Sequence, residues 1–140
     1  MTRTLIVRGT RSGAGKNFLA TARCRVAARR GLDGAPFKAQ NMSDDGRAVA
    51  CGDGAAAGLL DEIGSAQYLQ ALAARVLPHT DMNPLLLKPE SDTASQVVAH
   101  GQADAALSRL LWRACPGANA ARCWRRRRAK ASTGWPRGTS

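Results

Sequence analysis

Two kinds of apolar pattern open the chain. Thr4–Gly9 is a short, largely apolar run that ends on a glycine, which predicts a buried strand. From Lys16 to Arg30 the apolar side chains recur at helical spacing, and Gly31 closes the run, which predicts a helix. A strand, a glycine-rich turn and a helix in this order are typical of the start of an α/β fold with a parallel sheet.

The pattern continues less regularly after the first helix. Gly34–Lys38 predicts a second short extended segment, whereas residues 43–60 are rich in Gly, Ala and Asp without a usable period and predict a loop. Helical spacing returns over Glu62–Leu77, with Asp61 as its predicted N-cap. Ser95–Ala99 predicts another strand. The predicted fold class is therefore α/β, a parallel sheet with flanking helices.

Charge divides the chain near Asp104. Residues 1–104 carry 12 basic and 10 acidic side chains, whereas residues 105–140 carry 9 basic side chains and none that is acidic. The last stretch therefore supplies +9 of the formal charge of +11. We predict a folded part over residues 1–103 and an irregular, Arg-rich tail over residues 104–140.

The tail has two interpretations that the sequence leaves open. Arg125–Arg128 lie beside Trp124 and ahead of Trp135, and basic side chains interleaved with aromatic ones predict a non-specific nucleic-acid arm. The tail is also rich in Arg, Ala, Trp, Cys, Gly and Pro without any helix or strand period. That composition is what a frameshift in GC-rich coding sequence, or a decayed gene, produces.

Other classes of protein are disfavoured. No apolar run approaches the roughly 18 residues of a membrane span, and the apolar stretch near the N-terminus is too short for a secretory signal. We therefore expect a cytoplasmic protein that does not bind membranes. The four cysteines lack the close pairs that a structural zinc site requires.

A glycine-rich segment between the first predicted strand and helix carries the candidate chemistry. Its backbone N–H groups can converge on a phosphate at the positive end of the helix, where a lysine adds a point charge. Five residues separate Gly9 from Gly15, where the standard phosphate loop has four residues between these glycines. Asn17 stands at the position where Ser or Thr normally binds Mg²⁺. A glycine turn with an incidental lysine is the alternative. The candidate nucleotide-binding residues are Gly9, Thr10, Gly13, Gly15, Lys16 and Asn17.

Three further segments follow this loop in order: Ala35–Ser43, Glu62–Ala71 and Met82–Pro89. With the five-residue loop spacing, they resemble the N-terminal part of the cobyric acid synthase family over residues 4–102. That part is a dethiobiotin synthetase-like P-loop region. The resemblance implies an incomplete P-loop NTPase-like sheet, and its segments argue against another dethiobiotin synthetase-like ATPase.

The family uses ATP, with Mg²⁺, to phosphorylate peripheral carboxylates (b, d, e and g) of adenosylcobyrinic acid a,c-diamide in cobalamin biosynthesis. Ammonia from glutamine then displaces the phosphate to give amides. Phosphorylation is needed because a carboxylate oxygen is a poor leaving group, and catalysis of phosphoryl transfer rests on positioning and charge neutralisation. The resemblance therefore implies a nucleotide and a corrinoid as binding partners.

The resemblance also assigns roles to individual residues. Lys16 and Lys38 are the expected catalytic lysines at the transferred phosphate, and Glu62 is the expected metal ligand. Gln40 and Asn41 are the expected polar groups on the substrate side. Each of these positions also has a purely structural alternative. Lys38 could be a solvent-facing lysine, and Glu62 could be a glutamate that the helix dipole favours. Gln40 and Asn41 could serve only to form a turn. Asn83, which precedes a proline, is expected to fix a turn near the same site.

Several positions depart from the family pattern. The family has asparagines and a serine where this chain has Asp44–Gly46, and it has an arginine where this chain has Ser65. No segment matches the family's later strands, with their further acidic metal ligand, or its glutamine amidotransferase domain. We therefore expect a truncated protein of marginal stability, with weak ATP binding and without competent glutamine-dependent amidation.

Overall fold

The computed structural model of the chain describes residues 4–50, 60–91 and 94–109. Within these ranges the chain forms helices and strands in an α/β order. The helices are α1 (Lys16–Arg29), α2 (Ser65–Ala74) and α3 (Ala105–Ser108). The strands are β1 (Gln40–Met42), β2 (Gly46–Ala50), β3 (Leu60–Gly64), β4 (Leu85–Ser91), β5 (Ala94–Ala99) and β6 (Gln102–Ala103). A single 3-10 turn, Thr80–Met82, precedes β4.

The strands form two sheets. In the larger one the order is β1-β4-β5-β6, with β1 parallel to β4 and the remaining neighbours antiparallel. The strands β2 and β3 form a separate antiparallel pair. The α/β prediction is confirmed, and the sheet that carries the parallel pair is mixed rather than wholly parallel.

The centre of the core is the β4–β5 pair. Leu85 and Leu87 point to one face and pack with Val97, while Leu86 points to the other face and is also fully buried. A strand that is covered on both faces needs apolar residues at consecutive positions, which explains the unbroken run of three leucines.

Two sequence predictions hold closely. The first helix ends at Arg29, one residue before the predicted end, and Gly31 takes a positive φ of 70° just beyond it. The predicted strand Ser95–Ala99 is β5, which begins one residue earlier.

The first predicted strand is wrong. Thr4–Gly9 pairs with no strand of the described residues, and Leu5 and Ile6 are 69% and 73% exposed. An apolar run becomes a buried strand only when a neighbouring strand takes up its backbone N–H and C=O groups. Within the described ranges β1 pairs with β4 and not with Thr4–Gly9. The second predicted extended segment is also displaced, since regular strand structure begins at Gln40 rather than at Gly34.

The predictions for residues 43–77 need a larger correction. Part of the predicted loop is β2, and β3 runs up to Gly64 where a helix was expected from Glu62. The helix α2 begins at Ser65 after Gly64, so Asp61 is not its N-cap. The side chain of Asp61 instead accepts a hydrogen bond from Gln102 at 2.5 Å. Pairing with β2 and burial of every second side chain override the helical spacing of this segment.

The helix α3 lies just inside the segment predicted as an irregular tail. Asp104 caps it, since its Oδ1 accepts hydrogen bonds from the N–H groups of Ala106 and Leu107 at 3.0 Å each. Leu107 packs against the β4–β5 core. None of the helices in the described ranges is long and apolar enough to cross a membrane.

Candidate functional site

The glycine-rich loop curls back over the start of α1. Gly13 and Gly15 have φ angles of 73° and 78°, a conformation that a residue with a Cβ adopts only under strain. A Cβ at Gly9 would lie 3.0 Å from two side-chain carbons of Lys16, so the lysine stem covers that glycine. The Lys16 ammonium group donates a hydrogen bond to the carbonyl of Arg11 at 2.5 Å. The loop therefore closes around its lysine.

The rest of the loop is open to solvent. Thr10 and Asn17, the other predicted loop residues, are both exposed. No side chain caps the N-terminus of α1, because Gly15 occupies the N-cap position. The first N–H groups of a helix need an acceptor, and an anion can supply it.

The ammonium group of Lys38, the second predicted catalytic lysine, is held by a neighbouring amide. The amino group of Lys38 donates a hydrogen bond to Oδ1 of Asn41 at 2.5 Å. Burial of this ammonium group lowers the pKa of Lys38 below its ordinary value, and the positive charge of Lys16 lowers it further. The charge of Lys16 therefore acts on Lys38 through space. Two positive charges that act on each other repel, and an anion bound near both would relieve the repulsion.

Behind Lys38 lies a cluster of buried amide groups, which we call the amide junction; its members are Asn41, Gly64, Gln67 and Asn83. The Asn83 side chain is bonded on both sides. Its Oδ1 accepts from the N–H of Gly64 at 3.0 Å, and its Nδ2 donates to the carbonyls of Lys38 and Leu85 at 3.2 and 3.0 Å. One side chain thus joins the end of β3, the segment before β1 and the start of β4.

Gly64 is the point where these amides meet. A Cβ there would collide with Nδ2 of Asn41 and would lie 3.0 Å from Oδ1 of Asn83 and 3.1 Å from Oε1 of Gln67. Oε1 of Gln67 is buried and has no hydrogen-bond partner among the described residues. The close approach of three amides therefore requires glycine at this position.

Glu62, the predicted metal ligand, lies in β3 and forms an ion pair with Lys88. Its Oε1 accepts from Nζ of Lys88 at 2.9 Å, and both side chains are 29% exposed. No group of three or more Asp, Glu, His or Cys side chains in the described ranges could hold a metal ion. Magnesium at a nucleotide commonly takes only one or two carboxylates, so the role of Glu62 as a single ligand stays a prediction.

The two predicted substrate-side residues differ in burial. Gln40, in β1, is half-buried and lies opposite Leu85 of β4. Asn41 is 5% exposed, and its side-chain oxygen already accepts from Lys38.

Two of the departures from the family pattern contact each other. The backbone N–H and the hydroxyl of Ser65 both donate to the backbone carbonyl of Asp45, at 3.0 and 2.8 Å. These bonds fasten the start of α2 to the segment that leads into β2. Asp45 and Ser65, which both depart from the family pattern, are therefore hydrogen-bonded to each other in this chain.

Sequence reasoning missed the roles of Gly64, Gln67 and Lys88, although all three lie inside the segments that carry the resemblance. Their position within those segments indicated that these residues matter, but it did not indicate which residues they contact. The expected turn at Asn83 is present, since its N–H donates to the carbonyl of Thr80 at 3.0 Å. The basic arm predicted from Arg125–Arg128 lies outside the described residues.

Comparison with known proteins gives one consistent result. A cobyric acid synthase of Polaromonas sp. is 60% identical over 113 residues, which are 81% of this chain and 20% of that protein. A cobyric acid synthase of Methylibium petroleiphilum is 62% identical over 111 residues, which are 79% of this chain and 21% of that protein. No protein-family model and no solved structure matches the chain.

The chain spans about a fifth of the length of the curated relatives that it matches. Identity near 60% over about four fifths of the chain extends well beyond the loop and the other segments singled out from the sequence. The chain is therefore cobyric acid synthase-like and matches a fragment of a cobyric acid synthase.

Proposed function

We propose that this chain binds ATP through the glycine-rich loop, with Lys16 and Lys38 as its phosphate ligands. The single observation that carries the proposal is the geometry of the loop, in which Gly13 and Gly15 take positive φ angles and the N-terminus of α1 has no side-chain cap. The resemblance assigns both lysines to the same phosphate, and the positive charge of Lys16 helps to lower the pKa of Lys38. An anion with several charges, such as the triphosphate of a nucleotide, is the ligand that this arrangement favours.

Within this proposal, the loop and the lysines have separate tasks. The uncapped N–H groups at the start of α1 receive phosphate oxygens. Lys16 leaves the Arg11 carbonyl and turns to the phosphate chain, while Lys38 is held from behind by Asn41. Their charges neutralise the negative charge that spreads over the phosphoryl group as it transfers.

Magnesium is the proposed ion that accompanies ATP. When bound, it would supply positive charge to offset the negative charge of the phosphates. Glu62 is its proposed ligand, and the ion pair with Lys88 leaves one carboxylate oxygen for that purpose. No step of the proposal depends on the metal.

The wider reaction is proposed from the names of the relatives. We infer that the chain corresponds to the ATP-dependent part of an amide synthetase of cobalamin biosynthesis. The proposed acceptor is a carboxylate of adenosylcobyrinic acid a,c-diamide, activated by phosphorylation and then amidated with nitrogen from glutamine. Gln40 is a proposed contact on the corrinoid side, and a cytoplasmic location is part of the same proposal.

Calorimetric titration of the full chain with MgATP at 150 mM salt tests the nucleotide site. We expect the parent chain to bind and the Lys16→Ala variant to bind about tenfold more weakly, because it lacks one charge-assisted contact. Arg29→Ala is the matched control, since it removes one positive charge from the opposite end of α1, about 20 Å away.

The control separates a built site from general attraction of anions to a basic chain. We expect Arg29→Ala to bind MgATP within about twofold of the parent, because charges beyond the Debye length are screened at this salt concentration. If Lys16→Ala binds as well as the parent, or if both variants lose affinity equally, the proposed site is wrong.

A further inference from the structure

We infer that Asn41 is a positioning residue for Lys38, held in place by the amide junction, rather than a direct ligand contact. The inference rests on the proposed function, because the purpose of positioning is the meeting of Lys38 with phosphate. Asn41 itself is 5% exposed, and its Oδ1 accepts the Lys38 ammonium group at 2.5 Å. A side chain that is enclosed and already bonded in this way acts on a ligand through its partner.

The backbone of the same segment is fixed independently. The N–H of Lys38 donates to the carbonyl of Met82 at 2.9 Å, and the carbonyl of Lys38 accepts from Nδ2 of Asn83 at 3.2 Å. Because the backbone and the ammonium group of Lys38 are both hydrogen-bonded, few conformations remain for the flexible side chain between them. A lysine that is restrained in advance loses less conformational entropy when it meets a ligand.

Gly64 provides the space for this arrangement. The Asn41 amide lies where a Cβ of residue 64 would stand, and Asn83 closes the other side. The N–H of Gly64 is bonded to Asn83, so the glycine backbone is fixed as well. The position of Asn41 is therefore set by a contact between β1 and the end of β3.

Competitive labelling of lysines with acetic anhydride, read by mass spectrometry, tests the contact in the full chain without nucleotide. The chain has four lysines, Lys16, Lys38, Lys88 and Lys130, so each can be followed in one sample. In Asn41→Asp a carboxylate replaces the amide oxygen beside Lys38. We expect the pKa of Lys38 to rise and its labelling at neutral pH to fall about tenfold relative to Lys88.

Met42→Asp is the matched control, because it adds the same charge one residue later, on the opposite side of the strand and at an exposed position. We expect it to change the labelling of Lys38 by less than about threefold. Equal effects of Asn41→Asp and Met42→Asp, or no effect of Asn41→Asp, would overturn the inference. A residue that merely supports the fold would not alter the reactivity of one lysine selectively.

A second variant keeps the test decisive if Asn41→Asp fails to fold. Asn41→Ser removes the amide without adding charge, and MgATP affinity is measured for Asn41→Ser, Lys38→Met and the double variant. We expect Asn41→Ser to weaken binding severalfold in the parent and not at all when Lys38 is already replaced. Additive losses would show that Asn41 does not act through Lys38.

The two experiments separate this inference from the proposed function. If labelling shows the Asn41 effect but the parent chain binds no MgATP, the positioning contact stands and the assigned ligand is wrong. If MgATP binds and labelling shows no effect, Asn41 is not the positioning residue and the nucleotide site stands.

Discussion

The glycine-rich loop with α1 and the amide junction both lie in segments that carry the resemblance, but the chain folds them very differently. In α1 no residue is buried, and Phe18 is 83% exposed. In the junction Asn83 is 1% exposed and bonded to three backbone groups. The loop is shaped by local backbone preferences, whereas the junction is shaped by contacts between distant parts of the chain.

A match to a sequence motif does not distinguish a loop that is shaped locally from a site that forms only when distant segments assemble. A glycine-rich loop before a helix can take its shape from local φ angles alone, and Gly13 and Gly15 have positive φ angles here. The junction exists only if β1, β3 and the segment before β4 are assembled. Stability should therefore depend strongly on the junction and weakly on the loop, whereas anion binding should depend on both.

The largest expected effect on stability is that of Gly64→Ala. Its Cβ would collide with the Asn41 amide, and all neighbouring groups are enclosed, so we expect a loss of about 3 kcal/mol in the free energy of unfolding. Gly13→Ala is the matched change in the loop. Nothing in the described structure lies within 4 Å of its Cβ position, so the cost of about 1 kcal/mol comes from the positive φ alone.

Urea unfolding of the three proteins measures this contrast. If Gly13→Ala destabilises the chain as much as Gly64→Ala does, the loop and the junction do not differ in the way that their burial indicates.

A second contrast replaces side chains rather than glycines. Asn83→Ala leaves the N–H of Gly64 and the carbonyls of Lys38 and Leu85 without their side-chain partner, and we expect a loss of about 2 kcal/mol. Phe18→Ala removes a much larger side chain, yet we expect a loss below about 0.5 kcal/mol because that ring lies in solvent. Thermal unfolding followed by circular dichroism measures both. A larger loss for Phe18→Ala would mean that α1 is packed against a surface outside the described residues.

Sequence predicted the elements whose signals are local. The helix α1 is bounded by a glycine on each side, and its limits were predicted to within one residue. The strand β5 was predicted almost completely, because Val97 and Val98 lie in a short apolar run with high strand propensity. In both cases the nearest residues along the chain decide the structure.

Elements that depend on a partner were predicted poorly. The strands β2 and β3 stabilise each other by pairing, and neither has a clear period of its own. Ile63 fits a helix by its spacing to later apolar residues, but in the structure it is fully buried opposite Arg47 in a strand pair. Thr4–Gly9 shows the converse error, since its apolar run lacks a paired strand among the described residues.

The resemblance assigns Lys16 and Lys38 to the same site, which stays a prediction, and the charge of Lys16 helps to lower the pKa of Lys38. The hydrogen bonds behind Lys38 were not predicted. The bond from Asn83 to the carbonyl of Lys38 spans 45 residues of sequence, and the bond from Gly64 to Asn83 spans 19. No local pattern specifies such pairs, so the distinction between a ligand contact and a positioning residue had to come from the fold.

The smallest expected effect is the pH dependence that Lys38 contributes to stability. Its pKa is lowered in the folded chain by partial burial of the ammonium group and by Lys16, whereas in the unfolded chain it returns to its ordinary value. Between these two values the unfolded chain binds more protons, so the contribution of Lys38 to stability rises with pH. Below the folded value Lys38 is charged in both states, and the partial loss of water around its ammonium group opposes folding by a constant amount.

Unfolding free energies of the parent chain and Lys38→Met, compared from pH 7 to pH 11, measure this contribution. We expect the free energy of Lys38→Met minus that of the parent to decrease as pH rises through the lowered pKa. In a Lys16→Met background the decrease should be smaller, because one cause of the shift is removed. A pH-independent difference would contradict the burial of the Lys38 ammonium group. A decrease unaffected by Lys16→Met would contradict the electrostatic effect of Lys16 on Lys38.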